Sequence, residues 1–141
     1  LPSPNFNELE EGTELKLQFD KLKSVAKLAE NTLPAIAQDI NSKEVLIVGY
    51  VNQQALDYSL VHKVATFWST SRNELWVKGA SSGDLLTLIE VRVNCEQNAI
   101  LYLVEPKTQS ACHTKNKQGK SRKSCFYRSI ISNGSLAFLE P

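Results

Sequence analysis

Two long apolar segments, "LLTLIEVRV" (residues 85–93) and "AILYLVEP" (residues 99–106), are separated only by Asn94-Cys95-Glu96-Gln97-Asn98. Runs of this length and β-branched content, bounded by polar residues, read as strands. Their near-continuous apolarity predicts burial on both faces, as central strands or within an interface. The connector sits where a hairpin turn is expected, yet it carries a thiol among four polar side chains.

The same pattern of apolar runs around turn residues recurs along the chain. "AIAQDI" and "VLIVGYV" flank "NSKE", "ATFWST" and "LWVKGA" flank "SRNE", and "CFYRSI" and "SLAFL" flank "SNG", each a hairpin signal. Helical spacing appears twice. Leu15, Phe19, Leu22, Val25, Ala26 and Ala29 recur at three- and four-residue intervals, which predicts an amphipathic helix within 15–30, opening near Asp20 as its cap or earlier and packed on a sheet. Pro34 ends that pattern, and Asn52 is placed to cap a short helix in "QQALDYSLVHK". About eight strands and two helices, joined mainly by tight turns, predict an α+β fold with a mainly antiparallel sheet. Residues 1–14, with Pro2 and Pro4, read as a flexible lead-in to a single domain over 15–141.

Composition narrows the function classes. The chain has 42% hydrophobic and 22% charged residues and a formal net charge of +1, ordinary globular values. No global field points to nucleic acid or an anionic membrane. No apolar run approaches the roughly 18 residues of a membrane span, and the N-terminal segment lacks the layout of a signal peptide. Three cysteines, an odd number, argue against a disulfide framework and for a reducing compartment. A cytoplasmic location is expected.

The cysteines are Cys95, Cys112 and Cys125, with no CxxC pair. Spacing alone fits three unrelated thiols as well as a metal site. Each, however, has polar neighbours rather than the apolar surroundings that free structural thiols prefer. Lys115, Lys117, Lys120, Arg122 and Lys123 cluster around the second and third, and nearby cations favour thiolate, the zinc-binding form. Three ligands with an open fourth position is the pattern of a catalytic zinc. His113, beside Cys112, can be ligand, general acid or base, or bystander. His62 reads as a surface residue.

Between the two tryptophans and after them, Ser69, Thr70, Ser71, Arg72, Lys78, Ser81 and Ser82 place hydroxyls and cations in adjacent turns. Gly79 and Gly83 allow close backbone approach to a ligand. Such donors suit a phosphate, although no P-loop motif is present. Trp68 and Trp76 taken singly fit core or cross-strand packing.

Taken together, "LPAIAQDINSKEVLIVGYVNQQAL", "TFWSTSRNELWVKGASSGD", "IEVRVNCEQNAILYLVEP", "ACHTK" and "SCFYR", in that order over residues 33–128, resemble the phosphoribosyl-AMP cyclohydrolases of histidine biosynthesis. The resemblance implies an intertwined homodimer with one zinc per subunit, shared across the interface and held by Cys95, Cys112 and Cys125. It implies a small nucleotide substrate, N1-(5-phosphoribosyl)-AMP, whose adenine ring opens at N1–C6, with no nucleic-acid or membrane partner. His113 is then the candidate proton carrier, and Arg72, Trp76, Lys78, Ser81 and Ser82 are the candidate substrate contacts. The alternative is a zinc-stabilised nucleotide-binding homologue, non-catalytic or acting on a different purine.

Three features depart from the family pattern. The family's Asp-Cys-Asp-x-Asp loop, with carboxylates assigned to magnesium, is here Asn94-Cys95-Glu96-Gln97-Asn98. Magnesium prefers charged oxygen ligands, so the expectation of magnesium is weakened. "KNKQGKSRK" lengthens the gap between Cys112 and Cys125, at little entropic cost. Asp84 adds a carboxylate where none is usual.

Overall fold

The computed structural model describes residues 6–28 and 31–141. Among the described residues there are eight strands and three helices: α1 (Glu8–Glu11), α2 (Lys21–Leu28), β1 (Leu33–Asp39), β2 (Val45–Val51), α3 (Gln53–His62), β3 (Thr66–Ser69), β4 (Glu74–Val77), β5 (Leu86–Val93), β6 (Ile100–Pro106), β7 (Arg128–Ile130) and β8 (Leu136–Phe138). All four expected hairpins form, as antiparallel pairs β1–β2, β3–β4, β5–β6 and β7–β8. The main sheet has the order β2-β1-β6-β5. Its central pair, β1 and β6, is parallel, with Ala35 opposite Ile100 and Asp39 opposite Val104. A parallel pair needs a long crossover. Here α3 and the β3–β4 hairpin supply it.

Of the two long apolar segments, β6 is central and almost wholly buried. β5 is an edge strand, with Ile89 and Val93 exposed. A sheet flank explains the difference, because only β6 has a neighbour on both sides.

The crossover lies against the sheet through one close contact. Phe67 of β3 sits over Gly49 of β2, where a Cβ would come within 2.7 Å of the ring. Its other neighbours are the rings of Tyr102 and Trp76, each with its centroid 5.6 Å away. The Tyr102 hydroxyl, buried, donates to the Thr66 carbonyl and lies 3.0 Å from the Ser59 hydroxyl. Ser59 also accepts the Thr66 N–H at 3.0 Å. One polar knot thereby ties α3, β3 and β6 together. Asn52 caps α3 as expected, accepting the Ala55 N–H at 2.9 Å. No described helix is long and apolar enough to cross a membrane.

The helix expected within 15–30 covers Lys21–Leu28, starting directly after Asp20, with residues 29–30 outside the described residues. Among the described residues of its apolar face only Val25 is buried, while Phe19 and Leu22 are 91% and 70% exposed. The periodicity was real, but a helix this short depends on packing, and one buried side chain supplies little.

The third helix, α1, lies in the segment read from sequence as a lead-in. Asn7 caps it, and residues 6–14 make specific contacts. The reason is Arg122, 1% exposed. Its guanidinium donates to both Glu11 oxygens at 2.8 and 2.9 Å, and to the Glu140 and Pro141 carbonyls. It also stacks 4.2 Å from the Tyr127 ring. The Tyr127 hydroxyl donates to the Glu10 carbonyl, and Arg128 donates to those of Leu9 and Gly12.

The hydrogen bond from Arg122 holds the Glu11 carboxyl below its ordinary value of 4.5, against the opposing effect of burial. A depressed folded-state pKa contributes stability above the unfolded value, and the contribution is lost as pH falls through the folded value. Glu11→Gln should therefore destabilise the protein by about 2–4 kcal/mol at neutral pH, the buried guanidinium losing its counter-charge. Denaturant titrations across the acid range should show that difference shrinking below pH 4.5.

Candidate active site

The β4 strand delivers Trp76 and then Lys78 to the end of the small hairpin. The chain reverses over residues 79–83, closed by a Gly83 N–H to Gly79 carbonyl bond of 2.8 Å. Gly79 is required there twice over. Its φ is +86°, and a Cβ would come within 2.2 Å of the Asp84 backbone. This tight reversal presents Ser81 and Ser82 beside Lys78. An open cleft of about 490 Å³ results, lined among others by Arg72, Trp76, Lys78, Ser81, Ser82 and His113. All five expected substrate contacts and the expected proton carrier thus share one cavity.

Lys78 is only 4% exposed. Burial lowers its pKa, opposed by the negative charge of Cys125, Asp84 and Cys112. Asp84 acquires its physical account here. Burial raises its carboxyl pKa, but hydrogen bonds from Thr108 and Ser121 and the Lys78 charge outweigh that and keep it low. It is the fixed counter-charge of a buried lysine.

Cys112 and Cys125 come together because the intervening basic stretch folds back on itself. Cys112 N–H donates to the Arg122 carbonyl, and Arg122 N–H to that of Thr114. Lys115 and Ser121 bridge below the 116–119 turn. Cys125 N–H then bonds the Leu46 carbonyl of β2, fixing the second thiol against the sheet. A hydrogen bond from Cys125 lowers the Cys112 pKa to about 5, helped by Thr114, whose hydroxyl lies 3.0 Å from the sulfur, and by His113. The same pairing, with burial, raises Cys125. The two shifts run in opposite directions, so the surroundings favour the ionised form at Cys112 over Cys125.

Three of the cations expected to favour that thiolate, Arg122, Lys123 and Lys115, are held by other partners. Arg122 is bound to Glu11, and Lys123 lies 2.9 Å from Glu44 and 3.4 Å from Asp39. Lys115 donates to Ser121. Lys78, from the opposite hairpin, is the lysine whose charge acts on both thiols.

Cys95 is exposed in the β5–β6 turn, before β6 begins. Leu46, which anchors Cys125, is level with Tyr102–Leu103 within β6. Among the described residues, no three His, Cys, Asp or Glu side chains of one protomer converge as a metal-holding group. The donor set fits a soft metal in part: two neighbouring thiols, with Cys112 next in sequence to the cleft residue His113 and both acting on the charge of the cleft residue Lys78. The magnesium positions do not fit their ion. Asn94, Glu96 and Asn98 are hydrogen-bonded to one another.

Three residues outside the expected site bear on it. Glu10 lies 2.7 Å from His113 Nε2, Thr114 contacts Cys112, and Thr108 holds Asp84. Only Thr114 had a sequence signal, two positions after a thiol. His62 stacks on Tyr58, away from the cleft.

A profile of the phosphoribosyl-AMP cyclohydrolase family matches residues 47–127. The chain is 40% identical over 116 residues to a phosphoribosyl-AMP cyclohydrolase of Archaeoglobus fulgidus, covering 82% of this chain and 94% of that one. It is 42% identical over 129 residues to one of Hyphomonas neptunium, covering 92% and 86%. A histidine biosynthesis bifunctional protein of Aquifex aeolicus is 37% identical over 119 residues, covering 84% of this chain and 51% of that protein.

The two turn glycines differ in a measurable way. Both have φ +86°, but nothing lies within 4 Å of a Cβ at Gly83. Gly83→Ala should cost only the left-handed strain, about 1–2 kcal/mol. Gly79→Ala must also displace backbone, so it should cost clearly more in thermal or denaturant unfolding and should widen the cleft.

Proposed function

The chain belongs to the phosphoribosyl-AMP cyclohydrolase family, and on that premise we propose that it hydrolyses the N1–C6 bond of N1-(5-phosphoribosyl)-AMP in histidine biosynthesis. The observation that carries the reading is the single cleft joining Arg72, Trp76, Lys78, Ser81, Ser82 and His113, with Lys78 in turn coupled to the Cys112–Cys125 pair.

Zinc is the cofactor in this reading, held by Cys112 and Cys125 of one protomer and Cys95 of a second. Zinc in such a site supplies water activated for attack at neutral pH. The rest is the work of the chain's own side chains. Arg72, Ser81 and Ser82 donate to substrate phosphate, and Trp76 offers a face to the purine. Lys78 adds positive charge in a water-poor corner, where it acts strongly on an anionic substrate. Water adds at C6, the N1–C6 bond breaks, and C6 becomes the carbonyl carbon of a carboxamide. His113 delivers the proton that the departing N1 needs, its ring oriented by Glu10.

A homodimer is part of the proposal. Two converging thiols in one chain and a third, exposed thiol on a distant turn make a complete set only between copies. Large apolar side chains near Cys125, including Phe126, Ile130 and Leu139, are exposed in the single chain, suited to burial against a partner.

A second reading, a zinc-stabilised nucleotide-binding homologue without catalysis, draws on the amides at 94 and 98. Expression in a histidine auxotroph lacking this step separates the two. Growth supports the enzyme, and failure despite soluble protein supports the binder.

His113→Ala should lower kcat on phosphoribosyl-AMP by about 10²–10⁴, the usual contribution of a positioned proton carrier. Cys95→Ser and Cys112→Ser homodimers should each lose zinc and activity. Co-expressed, they should regain one working site per heterodimer, seen as about a quarter of wild-type activity in a statistical mixture. Recovery of nothing would place all ligands in one chain and sink the shared site.

A further inference from the structure

The resemblance places magnesium at residues 94, 96 and 98, and this inference rests on that alignment and on the family reading above. Carboxylates at those positions repel one another, and a bound cation is what allows them to lie together. The loop in this chain solves the problem differently. The Asn94 carboxamide oxygen accepts the backbone N–H groups of Asn98 and Ala99, at 2.8 and 2.9 Å. Both of its lone pairs are used, and the amide orientation is fixed thereby. The Asn94 nitrogen must then face Asn98, and it donates to the Asn98 carboxamide oxygen at 2.6 Å. The Asn98 nitrogen in turn donates to Glu96 at 3.3 Å. The Gln97 N–H to Asn94 carbonyl bond closes the turn at 3.1 Å.

Donor and acceptor run in one direction along this relay, from Asn94 through Asn98 to Glu96. The first two steps each need an amide N–H. Aspartate at 94 could still accept the backbone bonds, but it could not donate to 98. With aspartate at both 94 and 98, the 2.6 Å contact would become two carboxylate oxygens facing each other, tolerable only with a cation or a proton between them. We propose that this chain has replaced the family's divalent cation with a side-chain amide relay, so that the 94–98 loop keeps its shape with no magnesium and takes none up.

The substitution also divides the two metals. Cys95 lies inside the loop, and the relay holds its flanks without engaging the sulfur. A thiol ligand therefore stays presented to a soft metal while the hard-metal positions are closed.

Zinc-loaded protein titrated with Mn²⁺, followed by electron paramagnetic resonance with Mg²⁺ as competitor, tests this. Wild type should leave the free Mn²⁺ signal unchanged at millimolar ion. The Asn94→Asp/Asn98→Asp variant should bind Mn²⁺ at least about tenfold more tightly, displaceable by Mg²⁺. It should also melt lower than wild type until either ion is added. Asn98→Asp alone serves should the double variant not fold. Stoichiometric Mn²⁺ binding by wild type overturns the proposal, as does a variant that neither binds nor is stabilised. Turnover of phosphoribosyl-AMP by wild type should be the same with and without Mg²⁺. Absence of turnover in both, with the Mn²⁺ results as expected, overturns the cyclohydrolase reading and leaves the relay standing.

Discussion

A guanidinium withdrawn almost completely from water organises this protein. Desolvating a charge costs several kcal/mol unless it is paired and hydrogen-bonded. Arg122 meets that requirement with partners from both ends of the described chain, Glu11 on one side and the Glu140 and Pro141 carbonyls on the other. The Tyr127 and Phe138 rings cover it. Because Arg122 also pairs through its backbone with Cys112 and Thr114, the constraint reaches the thiols directly. The segment carrying Cys112 cannot shift without disturbing the buried charge. Its neighbour His113 is met by Glu10, one residue from the carboxylate that Arg122 holds.

Charge inside the molecule is laid out as a second, coupled system. Lys78 and Asp84 flank the tight reversal at Gly79 and compensate each other. Cys125 and Cys112 also act on the Lys78 charge, in the same direction as Asp84. Burial lowers the Lys78 pKa and the anionic groups only partly offset it, in a corner nearly closed to water. That suits a residue asked to meet an anion in a cleft without a large rearrangement.

Hairpins were legible in the sequence because their information is local. Turn residues such as those of "NSKE" and "SNG", and period-two or continuous apolar runs, specify a pair without reference to the rest of the chain. The parallel alignment of β1 with β6 has no such signature, since it joins residues some 65 apart through tertiary packing alone. The helix starting after Asp20 was legible, but how little of its face is buried was not. Periodicity marks a face able to be buried, and among the described residues of this face only Val25 is buried. At the site, the cleft residues were readable as a chemical type, hydroxyls and cations around glycines. Glu10 was not, because a glutamate in a polar N-terminal stretch carries no mark of the histidine it will meet. Asp84 was visible but uninterpretable until Lys78 proved to be buried.

The parallel centre of the sheet has a consequence for how the chain is made. Synthesis delivers β1 and β2 long before β6, so the nascent hairpin has one edge of β1 bare until residues 100–104 emerge. That edge includes Ala35, Ile36 and Ala37, an apolar stretch of unpaired backbone donors and acceptors, the kind of template that recruits stray strands. The α3 and β3–β4 crossover appears in the interval and covers a face of the hairpin, with Phe67 on Gly49, but it leaves the edge open. Until β6 is available, the growing chain depends on its neighbours staying away or on a chaperone occupying that edge.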